Sequence, residues 1–172
     1  SLFTSEYNNR RIECDEGLSI INDNYPEINS FRDCSEELLL SLKSKMTDNV
    51  FKRSLYAVKE INRVIQACTA LDKGDIETLG KLMFETHDGL SKDYEVSCTE
   101  LDYLVDLAKA EADVIGSRLM GGGFGGCTIN LVKKGSEDNI KEKFTKLYAE
   151  HFKIDLITYD VKVSNGTSLY KN

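Results

Sequence analysis

The feature that most constrains this chain is a run of glycines between two segments with the composition of β-strands. In GSRLMGGGFGGCTINLV, residues 116–132, five of the six positions from 121 to 126 are glycine, and Phe124 alone interrupts them. Glycine loses more conformational freedom on folding than any other residue, so a dense cluster of glycines costs stability. An ordinary hairpin turn needs only one or two of them. We therefore predict that the main chain of this loop lies against a ligand or another loop, in conformations that side chains disfavour.

The familiar nucleotide-binding motifs do not account for this loop. Gly121, Gly123 and Gly126 satisfy G-x-G-x-x-G, but any run this rich in glycine does so. The dinucleotide fingerprint requires a helix after the loop, whereas a strand pattern, residues 127–132, follows here. The V-A-I-K, H-R-D and D-F-G motifs that accompany a protein-kinase glycine loop are missing, and so is the GxxxxGK[ST] of a P-loop.

Apolar residues at helical spacing fill the first two thirds of the chain. They predict five helices, over residues 6–24, 35–46 and 47–74 and then from residues 75 and 97 onward. The third pattern is the clearest, since its apolar positions keep helical spacing from Ala57 to Leu71. The residues predicted to cap helix starts are Thr47 or Asp48, then Asp75, and then Ser97 and Glu100 as an S-x-x-E capping box.

The periodicity changes after residue 111. Strands are predicted over residues 114–119 and 127–132, followed by a helix from residues 135–136. A last strand is predicted to carry Ile157, Tyr159, Val161 and Val163 on one side. This order predicts an α+β fold in which a helix-rich layer packs on one face of a mainly antiparallel sheet, with residues 1–172 forming a single domain.

Composition excludes several function classes. The chain is 41% hydrophobic and 30% charged, as in soluble globular proteins, and its net charge of -7 argues against a nucleic-acid partner. No apolar run reaches the roughly 20 residues that span a bilayer, and no signal-peptide pattern is present, so we expect no membrane association and a cytoplasmic location. The five cysteines lack the paired spacing of a zinc site and are expected to be reduced thiols. Because the sequence starts at Ser1 without an initiator methionine, we expect it to be part of a longer polypeptide.

Three segments resemble the GHMP kinases, a family named for galacto-, homoserine, mevalonate and phosphomevalonate kinases. Residues 116–132 are similar to the third conserved motif of that family. SEYNNRRIECDE, residues 5–16, resembles the helix whose tyrosine contacts the sugar in the galactokinase branch, and residues 74–105 resemble the segment that precedes the glycine motif. The resemblance implies the ferredoxin-like C-terminal domain of a GHMP kinase, with the N-terminal half of the enzyme absent from this chain.

The same resemblance implies an activity and a short list of site residues. The activity is transfer of the γ-phosphate of ATP, with Mg²⁺, to the anomeric hydroxyl of α-D-galactose, giving galactose 1-phosphate. The serine-rich phosphate loop and the catalytic residues belong to the missing half, so neither a catalytic residue nor a metal ligand is expected here. Tyr7 corresponds to the tyrosine that hydrogen-bonds the sugar. The glycine motif near the phosphates corresponds to Gly121, Gly122, Gly123, Phe124, Gly125 and Gly126.

Three alternatives stay open at this point. One is a galactokinase-like sensor that binds galactose and ATP without efficient turnover, and another is a mevalonate-type kinase. The third is a kinase for N-acetylgalactosamine, but such enzymes often have alanine and tryptophan where Gly122 and Phe124 stand here, which favours galactose. His87 is expected to be structural, and the arginines at positions 10, 11 and 118 are assigned no role.

Overall fold

The computed structural model describes residues 2–164, 166, 168 and 169, with side chains from residue 6 onward. Within this part of the chain there are six α-helices, two 3₁₀ turns (Phe31–Asp33 and Lys43–Lys45) and two β-strands. The elements are α1 (Leu2–Asn24), α2 (Glu36–Ser41), α3 (Asp48–Asp72), α4 (Ile76–Lys92), α5 (Thr99–Lys109), β1 (Val114–Met120), β2 (Cys127–Val132) and α6 (Glu137–Phe152). This arrangement confirms the predicted α+β class.

Two of the predicted helix caps are confirmed. The Thr47 hydroxyl accepts a hydrogen bond from the Val50 amide at the start of α3, at 3.3 Å. The Asp75 carboxylate accepts one from the Thr78 amide at 3.0 Å and so begins α4. Each cap satisfies an amide that has no partner inside its own helix, which is why these two helices begin where the sequence indicates.

The predicted capping box at the fifth helix is wrong. α5 begins at Thr99 with Cys98 as its N-cap, and no side chain caps it. The Ser97 hydroxyl donates to the carboxylate of Asp102 inside the helix, and it lies one residue before the N-cap position. The second predicted helix, residues 35–46, is also shorter than expected, because α2 ends at Ser41 and the chain continues as a 3₁₀ turn.

The predicted last strand is wrong as well. Residues 155–164 have no regular secondary structure. Its four alternating apolar side chains are mostly exposed, from 71% at Ile157 to 104% at Val163. An isolated extended segment gains neither ladder hydrogen bonds nor a buried face, and these residues pair with no strand among those described.

The sheet is an antiparallel pair that the helices cover on one face. β1 and β2 pair in a register that runs from Val114 opposite Val132 to Met120 opposite Cys127, where the glycine loop connects them. α4 packs directly on β1 because both elements have a glycine at the contact. A Cβ on Gly80 would overlap the carbonyl oxygen of Ile115, and a Cβ on Gly116 would overlap the backbone of Gly80.

Helix α3 has a buried half and an exposed half. Its first turns bury Val50, Phe51 and Val58, and Phe51 and Val58 belong to a core cluster that also contains Ile21 of α1. Farther along, Val64 and Ile65 are 55% and 60% exposed although they continue the same apolar spacing. The spacing therefore predicted the helix correctly, but the amphipathic pattern overstated how much of it is buried.

Two further findings concern the chain as a whole. All five cysteines, at positions 14, 34, 68, 98 and 127, are free thiols. Over the described residues, no helix combines the length and the apolar character needed to cross a membrane.

Candidate functional site

The glycine loop adopts a backbone that explains its composition. Five of its six residues have positive φ, with values from 57° at Phe124 to 123° at Gly125, and Gly122 alone lies outside that range. Positive φ is unfavourable for any residue with a Cβ atom, so four of these five positions are glycine. Phe124 is the exception.

Close approach explains one glycine in particular. The loop lies against the segment between α4 and α5, where the Phe124 amide donates to the Val96 carbonyl oxygen at 2.6 Å. A Cβ on Gly123 would overlap that same oxygen and would lie 2.9 Å from the Val96 Cβ. The sequence predicted that the main chain lies against a ligand or another loop. At Gly123 the neighbour is the backbone of Val96, which is itself buried.

The structure brings Tyr7 and the loop together. Tyr7 is on the second turn of α1, and its side chain is half exposed. A Cβ placed on Gly122 would lie 3.6 Å from Cε2 of Tyr7, which is ordinary van der Waals contact. Tyr7 and Gly122 are thus neighbours on one surface although 115 positions separate them in the sequence.

The loop also offers backbone donors. Within the described part of the chain, the amides of Gly122, Gly123 and Gly125 are paired with no acceptor. Gly122 is exposed, and Gly123 and Gly125 are half-buried. Successive amides in a positive-φ turn form a concave surface that suits anions, so this loop can approach phosphate oxygens closely.

His87 is a buried structural residue beside the loop, as expected. The Leu119 amide, near the end of β1, donates to its Nδ1 at 3.2 Å. The neutral ring therefore carries its proton on Nε2, which lies 3.1 Å from the Asp102 carboxylate. Burial lowers the pKa of His87, against the opposing attraction of Asp102. His87 thus links α4, α5 and the strand that enters the loop.

Sequence reasoning missed a buried charge cluster at the segment that the loop contacts. Arg53 of α3 is almost fully buried, and it donates to the carboxylates of Glu13 at 3.0 Å and Glu95 at 2.6 Å. Hydrogen bonding from Arg53, and then from Lys52, lowers the pKa of Glu95 to about 2. No spacing rule joins these residues, because they come from three separate segments. The signal available was an arginine within the apolar face of α3.

No metal site is formed by the described residues. Among them, no three His, Cys, Asp or Glu side chains come together in a way that could hold a metal ion.

Comparison with known proteins agrees with this architecture. Residues 67–150 match the family described as GHMP kinases C terminal. Galactokinases of Thermotoga neapolitana and Thermotoga maritima are each 41% identical to this chain over 165 residues, which is 96% of this chain and 45% of theirs. The crystal structure of Lactococcus lactis galactokinase complexed with galactose matches with a TM-score of 0.82 and 32% identity, over 88% of this chain and 39% of that one. The chain thus spans less than half the length of these relatives.

Proposed function

Since this chain belongs to the GHMP kinase family, we propose that it is the C-terminal part of a galactokinase. The complete enzyme would transfer the γ-phosphate of ATP to the anomeric hydroxyl of α-D-galactose. The observation that carries this proposal is the proximity of the Tyr7 ring to Gly122, where an added Cβ would lie 3.6 Å from Cε2, because it supports a sugar contact beside a loop suited to phosphate.

Tyr7 would bind the sugar. Its ring lies beside Gly122 while the residue remains 51% exposed, so the phenolic oxygen can reach a ligand. A phenol suits this task, because it offers one donor and acceptor at the tip of a rigid ring. The bound sugar would then lie next to the glycine loop.

The glycine loop would close over the reacting groups. Phosphoryl transfer depends mainly on positioning and on stabilising charge on the transferred oxygens. Main-chain amides held in place by the Phe124–Val96 hydrogen bond can serve both purposes without a long side chain. ATP with Mg²⁺ would supply the phosphoryl group, and an N-terminal half of the enzyme would bind most of it.

Reconstitution tests this proposal. We expect the complete protein, in which an N-terminal half precedes this chain, to convert galactose and ATP to galactose 1-phosphate and ADP, and the isolated chain to show no turnover. Coupled detection of ADP measures turnover by the complete protein and by the isolated chain. Separate assays with mevalonate and N-acetylgalactosamine in place of galactose test the substrate. Turnover by the isolated chain would contradict the division of labour proposed here.

Calorimetry on the complete protein distinguishes the enzyme from a sensor. Binding of galactose and ATP without ADP formation would overturn the proposed activity in favour of a sensor. The names of the relatives favour the enzyme.

A further inference from the structure

The segment against which the glycine loop rests is held by an unusual set of donors. Residues 93–96 form the first part of the irregular link between α4 and α5, and all four of their carbonyl groups accept hydrogen bonds. Arg53 donates to the carbonyl of Asp93. Arg10 donates through Nε to the carbonyl of Tyr94 at 2.7 Å and through a terminal nitrogen to that of Glu95 at 3.2 Å. The fourth carbonyl, of Val96, accepts from the Phe124 amide in the loop.

Arg10 connects this segment to the helix of Tyr7. It lies on α1 three residues after Tyr7, and its side chain is 11% exposed. The Glu6, Glu13 and Glu95 carboxylates lie 3.5–3.9 Å from its guanidinium. These distances are longer than those to the two carbonyls. Arg10 is therefore engaged mainly as a planar double donor to main chain, and it is not turned toward solvent to meet a phosphate.

The next residue provides a natural comparison. Arg11 has the same side chain, but it is 78% exposed, and its ion-pair partner is Asp15 at 3.8 Å. Exposed pairs of this kind contribute little to stability. The two adjacent arginines thus differ in whether they reach the 93–96 segment.

We propose that Arg10 is a positioning residue that fixes the distance between Tyr7 and the glycine loop. Arg10 donates to the Tyr94 and Glu95 carbonyls. The next residue is Val96, and its carbonyl accepts a hydrogen bond from the Phe124 amide. Through these steps the helix that carries the proposed sugar contact and the loop proposed to meet phosphate share one rigid link. This inference rests on the proposed function for its kinetic consequence, whereas the mechanical link concerns this chain alone.

Hydrogen–deuterium exchange on the 172-residue chain tests the link without requiring activity. We expect Arg10→Met to accelerate exchange of the Phe124 amide about tenfold or more, because hydrogen bonds from a charged donor are among the stronger ones. The Val58 amide, in the buried part of α3, should change much less. Arg11→Met should leave both amides unchanged. Arg10→Lys keeps the charge but cannot donate to two carbonyls in one plane, so it should resemble Arg10→Met.

Kinetics of the complete protein test the consequence. Misplacement of the loop should lower kcat about tenfold or more in the Arg10→Met protein, since transfer is sensitive to small errors of position. The KM for ATP should change less than twofold, because ATP would be bound mainly by the other half. Arg11→Met should retain both constants.

The outcomes separate the inference from the proposed function. Equal acceleration at Phe124 and Val58, or none at Phe124, would overturn the link, because Arg10 would then be a general stabiliser or have no role. A selective effect at Phe124 in the isolated chain, combined with a complete protein that does not phosphorylate galactose, would uphold the link and reject the kinase. An active Arg10→Met enzyme with unchanged kcat would reject the positioning role.

Discussion

Replacing Gly123 with alanine isolates the physical reason for the glycine loop. The new Cβ would overlap the Val96 carbonyl oxygen, and the residue would keep a φ of 80°. The left-handed conformation costs about 1–2 kcal/mol for an L-residue. Displacing the Val96 carbonyl would also remove its hydrogen bond to Phe124, worth about 0.5–1.5 kcal/mol. We expect Gly123→Ala to lower the free energy of unfolding by about 2–3 kcal/mol.

Two neighbouring glycines separate these contributions. Gly125 has a φ of 123° and no atom within 4 Å of a built Cβ, so Gly125→Ala should lose only the conformational cost, about 1–2 kcal/mol. Gly122 lies outside the positive-φ range and a Cβ there would only touch Tyr7. Gly122→Ala should therefore be neutral, or stabilising by up to about 1 kcal/mol through the unfolded chain.

Urea denaturation followed by circular dichroism measures all three variants on the 172-residue chain. In thermal unfolding followed by the same signal, the melting temperature of Gly123→Ala should fall by about 4–12 °C, given 2–4 °C per kcal/mol at this chain length. If Gly123→Ala were as stable as the wild type, or if all three variants lost the same amount, close approach to Val96 would not be the reason for the glycine at position 123.

Three other predictions follow from the same geometry. Tyr7→Phe, which keeps the ring against Gly122 but removes the hydroxyl, should raise the galactose KM of the complete protein about tenfold, whereas Tyr159→Phe on the exposed tail should leave it unchanged. Because the pKa of His87 is lowered in the folded chain, the unfolded chain takes up this proton at a higher pH. Urea titrations should therefore show the free energy of unfolding falling as pH drops below about 6.5, and falling less in His87→Gln. Glu95, whose pKa is lowered to about 2, contributes stability above pH 4.5 that is lost toward pH 2, and Glu95→Gln should remove this second acid step.

Local signals predicted much of the fold because they depend on neighbours in sequence. The caps at Thr47 and Asp75 and the strands on either side of the loop are set within a few residues, and the structure has them. The capping box at Ser97 was wrong because α5 begins one residue later, with Cys98 as its N-cap, and the Ser97 hydroxyl donates to Asp102. The last strand was wrong because alternation describes a segment that can pair but says nothing about whether an edge is available.

The candidate site, like the fold, could be predicted from the sequence only in part. The glycine run indicated close approach, but it did not identify Val96 as the neighbour, since that contact depends on how the α4–α5 link folds. The role of Arg10 was missed because its acceptors are main-chain carbonyls, which carry no sequence signature. That of Arg53 was missed because its acceptors, a carbonyl and two carboxylates, come from distant segments. The resemblance assigned Tyr7 to the sugar and the loop to the phosphates, but it did not predict that Tyr7 lies beside Gly122, and the functional roles of both remain predictions.

The close contact of α4 at Gly80 with β1 at Ile115 and Gly116 has an evolutionary consequence. Most helix–sheet contacts can drift, because a larger side chain on one element is offset by a smaller one on the other. Here neither partner has a side chain to shrink, and an added Cβ on either one meets main chain. Compensating substitutions are therefore not possible at this contact. Both positions should be glycine in homologues that keep this helix on this strand. Because invariant positions cannot covary, covariation analysis would not detect this contact, although it determines how closely α4 lies on β1.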